Sequence, residues 1–291
     1  MSRNATKDLT TGSPMKLILS FGIPLLFGML FQQFYNMMDT IIVGKFLGVS
    51  ALASVGATGS INFMIIGFCM GVCNGFAIPV AQRFGAKDEH GMRKFVANSV
   101  WLSIIFAVVM AVLVCVFCRQ ILELMNTPED IIDGSYSYIF VIFLGIPATY
   151  MYNLLSGIMR SLGDSKTPLY LLIFSSILNI ILDLLSIIVL KMGVAGAAWA
   201  TVIAQAVSGF CCLGVIWKKF PILHVQREEW QPDKICILNL CNMGIPMGLQ
   251  YSITAIGSVI IQAAVNSLGS VAVASVAAAV KINMFLCCPY D

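Results

Sequence analysis

Asp39 and Asp183 each lie within a long run of apolar residues. An ionised Asp at mid-bilayer costs at least about 2.5–3.5 kcal/mol on insertion scales, so an acid kept there normally faces a cavity and acts on something. Around Asp183, the residues Ser176, Asn179, Asp183 and Ser186 follow at steps of three and four, which places them on one helical face. Gln32, Asn36 and Asp39 make a second polar stripe, with Gln33 and Thr40 beside it. Thr149, Asn153, Ser156 and Arg160 make a third, and Thr201, Gln205 and Ser208 a fourth. Polar faces are costly against lipid tails, so these stripes are expected to converge inside one bundle. Ser156, Ser176, Ser186 and Ser208 are expected to act as glue between helices, at about 0.6 kcal/mol per hydrogen-bonded pair.

Two carboxyls in a partly dry cavity suit a coupling cation. Burial disfavours the charged form of a carboxyl, and a second negative charge nearby disfavours it further. Protonation near neutral pH then becomes possible. The same oxygens of Asp39 and Asp183, with those of Asn179 and Thr201, are equally a donor set for Na⁺, and the residues leave both ions open. Gln33, Asn36, Asn153 and Gln205, from the same stripes, are the candidate lining of the cavity.

Other chemistries lack their residues. There is no Gly-x-x-x-x-Gly-Lys-Ser/Thr for ATP hydrolysis, no His-Glu-x-x-His and no Gly-x-Ser-x-Gly, so no enzyme activity is expected. His90 and His224 fall in charged connecting segments and read as solvated. Ten cysteines show no paired CxxC pattern with zinc-site spacing and read as small packing residues.

The elements that must position these residues are membrane helices. The chain has 291 residues, 59% hydrophobic and only 11% charged, with a mean hydropathy of +0.91. Soluble domains carry about 25% charged residues, so lipid must solvate much of this surface. Apolar runs long enough to cross a bilayer, which takes roughly 20 helical residues, lie near 15–44, 51–80, 95–118, 135–158, 167–190, 194–217 and 235–265. An eighth begins near Leu268. No period-2 alternation suggests a β-barrel. The fold class expected is all-α, a polytopic helix bundle. Residues 1–14 are polar and the first apolar run is too long for a signal peptide.

Charge orients the spans. Arg3, Lys7, Lys16, Arg83, Lys87, Arg93, Lys94, Arg160, Lys166, Lys218, Lys219, Arg227 and Lys234 fall on one side, and only Lys45, Arg119 and Lys191 on the other. Lys281 lies inside the eighth span. The positive-inside rule then makes the N-terminus cytoplasmic. The net charge of +3 reflects that topology, without a basic patch for nucleic acid.

An internal repeat divides the chain. Gly22-Ile23-Pro24 recurs as Gly244-Ile245-Pro246, and the block from Leu47 to Val55 recurs from Leu268 to Val276. Ala57 and Ile61 likewise match Ala278 and Ile282. The pattern restarts after six spans, so the two copies are parallel. The expected domains are a six-helix lobe at 1–219, a cytoplasmic linker at 220–233 and the start of a second lobe at 234–291. That second lobe reads as incomplete, because one span and part of another are present and Cys287-Cys288-Pro289-Tyr290-Asp291 falls within an apolar run. Gly67, Gly71 and Gly75, four apart, let another helix approach closely, and the seam is expected to close within the first six helices. Pro24, Pro79, Pro147 and Pro246 lie within spans and are expected to kink them.

Three stretches give a family resemblance. They are Gln33-Phe34-Tyr35-Asn36-Met37-Met38-Asp39-Thr40 with Val43-Gly44; Arg160-Ser161-Leu162-Gly163-Asp164-Ser165-Lys166-Thr167-Pro168; and Asn179-Ile180-Ile181-Leu182-Asp183, followed by Gly193-Val194-Ala195-Gly196-Ala197-Ala198-Trp199-Ala200-Thr201. Together they resemble the MATE family of multidrug and toxic compound exporters, in the branch that couples through its amino lobe. The resemblance implies two six-helix lobes around a central cavity in the cell's inner (plasma) membrane. It implies efflux of cationic or amphipathic small molecules driven by H⁺ or Na⁺, no other cofactor, and a monomer at full length. Asp39 and Asp183 then match the coupling acids, and Asn179, Thr201 and Asn153 their companions. A lipid-linked oligosaccharide flippase of the same superfamily is the alternative, but its cavity would be expected to carry several basic residues, and Arg160 is the only candidate here.

Overall fold

The structure is a computed structural model and describes residues 13–287. Arg3, Lys7 and the final residues 288–291 lie outside the described residues. Nine helices follow one another among those described: α1 (Pro14–Leu47), α2 (Val49–Gly85), α3 (Glu89–Leu124), α4 (Ile132–Leu144), α5 (Ile146–Ser161), α6 (Lys166–Leu184), α7 (Gly193–Lys219), α8 (Lys234–Asn266) and α9 (Ser270–Cys287). Six are singly long and apolar enough to cross a membrane, and the α4–α5 pair, taken as one bent span, is long and apolar enough for a seventh. Their outward faces are apolar. On α3, Ile104, Ile105, Val108, Val112 and Val116 are exposed, whereas Asn98, Ser99 and Ser103 are buried. This inversion of the soluble pattern is what lipid as solvent requires.

The fourth span is bent by 46° between α4 and α5. Pro147 stands in the first turn of α5; it has no N–H to donate back across the junction, so the helix breaks there. Gly145, at the break, lies so close to α7 that a Cβ would overlap the Val202 side chain. The fifth span is α6 continued by a π-helical turn, Leu185–Val189, that begins two residues after Asp183. Such turns recur beside functional residues because they re-aim the side chains next to them.

The repeat is visible in the backbone. Gly48 joins α1 to α2 at φ 88°, and its counterpart Gly269 joins α8 to α9 at φ 91°. Only glycine adopts this region without strain, so the same glycine corner leads into a helix twice, as the one linking residue in the first copy and as the last of three in the second. α2 is the hub, packing along α8 and against α5, α9, α3 and α4. The Gly67/Gly71/Gly75 seam departs from the expectation: it closes on α8, outside the first six helices. A Cβ on Gly71 would come within 2.5 Å of the Met247 carbonyl oxygen, one on Gly75 within 2.5 Å of Gly244 Cα, and one on Gly67 within 3.4 Å of Tyr251 Cβ. The physical reason is reciprocal: α8 brings its own Gly244 and Gly248 to the contact, so two backbones meet where neither helix carries a side chain.

The linker after α7 is docked onto the start of α3. The Glu229 side chain is 1% exposed. It accepts hydrogen bonds from Arg93 Nε at 2.9 and 3.0 Å and from its own turn at Gln226 N, 2.8 Å, and it pairs with His90 Nδ1 at 2.9 Å. Trp101 donates from Nε1 to the Trp230 carbonyl and meets that indole edge-on. Asn98 Oδ1 accepts from Asp233 N, and Asp233 caps α8 through Ile235 N and Cys236 N. The α2–α3 turn and the linker therefore share one side of the bundle. His90 is mostly exposed, and His224 stacks on exposed Trp217.

Candidate functional site

Asp39, in the last third of α1, and Asp183, near the end of α6, come together because α1 packs on α6. Their carboxyls lie within electrostatic range of each other. α7 packs against both helices and brings in Thr201. Its hydroxyl accepts from Asn179 Nδ2 at 3.2 Å and from Tyr35 Oη at 3.2 Å. Asn179 and Asp183 are fully buried, and Asp39 is 9% exposed. All four residues of the expected coupling set are therefore in one cluster.

The cluster is rich in acceptors and poor in donors. Asp39 Oδ1, Asn179 Oδ1 and both oxygens of Asp183 are buried without a hydrogen-bond partner among the described residues. Buried oxygens are ordinarily paired, and two facing carboxylates repel. A proton shared by the pair, or a small hard cation ligated by these oxygens, relieves both problems. The arrangement can thus take up and release a cation.

Two members were not singled out from the sequence. Tyr35 is buried one turn before Asp39, on the same face of α1, a spacing that was legible. Tyr138, on α4, is buried within electrostatic range of Asp39, Tyr35 and Asp183. Nothing local marks it, because only the packing of α4 on α7 and α2 brings it in.

The candidate lining residues are placed less tightly. Gln33 and Asn36 bond to each other at 3.4 Å, and Thr40 bonds back to the Asn36 carbonyl. Asn153 Nδ2 donates to the Thr149 carbonyl of its own helix at 2.8 Å. Gln205 Oε1, one turn after Thr201 on α7, is buried and unpartnered among the described residues. None of these four is hydrogen-bonded to Asp39 or Asp183 among the described residues. The serines also differ from the expectation of interhelical glue. Ser176 bonds back to the Leu172 carbonyl and Ser156 to that of Asn153, since a serine in a helix finds the preceding turn's carbonyl first. Ser175 makes the α6–α7 bridge, to the Ala204 carbonyl, and Ser161 bridges α5 to the Ala77 carbonyl of α2.

Comparison with known proteins agrees with this architecture. The MatE family model matches residues 24–185, which include Asp39, Asn179 and Asp183. A Bacillus subtilis (strain 168) relative, "Probable multidrug resistance protein YpnP", is 28% identical over 284 residues, covering 97% of this chain and 63% of that protein. A solved outward-facing multidrug resistance MATE family transporter superposes with TM-score 0.78 at 27% identity, over 88% of this chain and 57% of that one. An inward-facing one gives 0.81 at 25% identity, over 94% and 62%. The chain spans about 63% of the length of YpnP. With its helical bundle and a matched region that takes in the acid cluster, the chain belongs to the MatE family.

Proposed function

We propose that the full-length protein exports drugs or other organic cations across the plasma membrane in exchange for H⁺ or Na⁺, its amino lobe holding the coupling ion. The observation that carries this reading is the set of unpartnered buried oxygens on Asp39, Asp183 and Asn179. Asp39 and Asp183 supply charge, Asn179 and Thr201 neutral oxygen, and the Asn179 and Tyr35 hydrogen bonds orient the Thr201 hydroxyl. Gln33, Asn36, Asn153 and Gln205 are proposed to line the path of the substrate. The coupling ion and the drug are both cationic, so exchange follows if the acid pair is unfavourable when empty: release of one cation favours capture of the other. The similarity to transporters captured inward- and outward-facing supports alternating access as the means.

The test is Asp183→Asn in the full-length protein, scored by ethidium efflux in a pump-deficient strain. Asn keeps the size but neither binds a proton nor contributes charge. Efflux is expected to fall to background while the protein remains folded and in the membrane. Asp39→Asn is expected to behave the same way. Wild-type efflux in the Asp183 variant would remove that residue from the mechanism.

A further inference from the structure

Lys281 is the one Lys or Arg that the charge pattern leaves within a span. The repeat aligns it with Ser60, so its charge is no inheritance of the repeated pattern. On α9 it follows Val273 and Ala277 at steps of four, which puts the three on one face. That face is turned to the first bundle: Val273 is fully buried, and a Cβ on Gly56 of α2 would come within 2.5 Å of the Ala277 Cβ. α9 also packs on α1.

The depths correspond. Lys281 is eleven residues into α9, roughly 16 Å along the axis at 1.5 Å per residue. Asp39 is eight residues before the end of α1, roughly 12 Å from the equivalent glycine corner. Lys281 is half-buried, and the two side chains interact electrostatically. No carboxylate lies within ion-pair distance of Lys281 among the described residues, and Asp39 Oδ1 is unpartnered among them. The other titratable groups facing Asp39 are Asp183 on α6, Tyr35 on α1 and Tyr138 on α4, and none of these is cationic. An ammonium held in a membrane span is costly and is kept there for a partner.

We propose that Lys281 is a tethered competitor of the coupling cation: it is the counter-charge of Asp39 when the site is empty, and loses that attraction when the cation binds. The pull it exerts joins α9, in the second half of the repeat, to α1 in the first. Cation binding therefore loosens one bundle's hold on the other, which links site occupancy to lobe movement. The inference rests on the reading of Asp39 as a coupling residue.

The experiment is cation affinity of the full-length protein in detergent, by calorimetry with Na⁺ at fixed pH and with H⁺ in Na⁺-free buffer. The variants are K281M, K281R and D39N, and the readout does not need transport to survive. K281M is expected to bind the cation at least about fivefold more tightly, the low end of coupling between sites. K281R, which keeps the charge, is expected to restore the wild-type affinity. Spin labels at exposed Ile41 and Val271 are expected to report a cation-dependent distance in the wild type that K281M abolishes. Unchanged affinity in K281M, with binding lost in D39N, would overturn this inference alone. K281R behaving like K281M would also overturn it, since packing would then be the cause. Unchanged binding in D39N would overturn the underlying reading of Asp39.

Discussion

Glu229 and the Asp39–Asp183 pair are both buried acids, and they differ in their partners. Burial works against the charge of Glu229, but the Gln226 N–H, Arg93 and His90 outweigh it and hold its carboxyl below the usual carboxylate range. A folded value below the unfolded one means that docking of the linker is stabilised above the ordinary carboxylate range. That stabilisation is lost as the pH falls through the lower folded value. Hydrogen bonds to a charged group contribute about 1.5–3 kcal/mol. Glu229→Gln is therefore expected to speed hydrogen exchange of the linker amides, 226–233, about tenfold or more at neutral pH, and to abolish its acid dependence. Exchange unchanged from wild type would show that Trp101 and Asn98 hold the linker without the charge. Asp39 and Asp183 have no such donors among the described residues, which is why they suit a mobile cation and Glu229 a fixed contact.

Among the elements, α2 and α8 make the contact with the least freedom. Glycines on both helices let the backbones touch, and a Cβ added at Gly75 would meet Gly244 Cα and the Met243 carbonyl oxygen first. Backbone cannot rotate aside as a side chain can. Gly75→Ala is expected to push the helices apart at about 1–3 kcal/mol, the usual cost of overpacking. Gly59→Ala, on the same helix with nothing within 4 Å, is the control expected to be neutral. Thermal aggregation in detergent, followed by size exclusion, compares the two. Equal midpoints would mean that α8 is free to slide on α2. The triplet of glycines was plain in the sequence, but which helix would meet it was not. Spacing marks a smooth face and is silent about its partner.

At the scale of the whole molecule, the first six spans, α1 to α7, do not close on themselves. A fragment ending at Lys219 leaves Gly67, Gly71 and Gly75 against lipid and removes the linker from α3. It is expected to resist protease less well in detergent than the 291-residue chain; equal resistance would make the α8 contact dispensable for folding. Sidedness is a separate matter. Thirteen basic residues against three lead us to propose, under the positive-inside rule, that the linker is cytoplasmic. A cysteine introduced at exposed Gln231 is expected to resist a membrane-impermeant thiol reagent applied to intact cells. Efficient labelling there would invert the topology. The shared side of the α2–α3 turn and the linker, fixed by Glu229 and Asn98, means that both must invert together.

Composition and the long apolar runs settled that this is a polytopic helical protein, because 11% charge cannot cover a soluble surface and runs of roughly 20 apolar residues without alternation form membrane helices. Span positions, the repeat and the polar stripes were equally legible, since each depends on periodicity along a single helix. Asp39, Asn179, Asp183 and Thr201 were recoverable as a set because polar residues in apolar runs have few alternatives to converging. Three things were decided only by the tertiary structure. The seam closed on α8, Tyr138 entered the acid cluster, and Lys281 came within electrostatic range of Asp39. Each depends on which helix lies beside which, at what height and rotation. Those relations are set by contacts between residues far apart in the chain, and no local spacing records them.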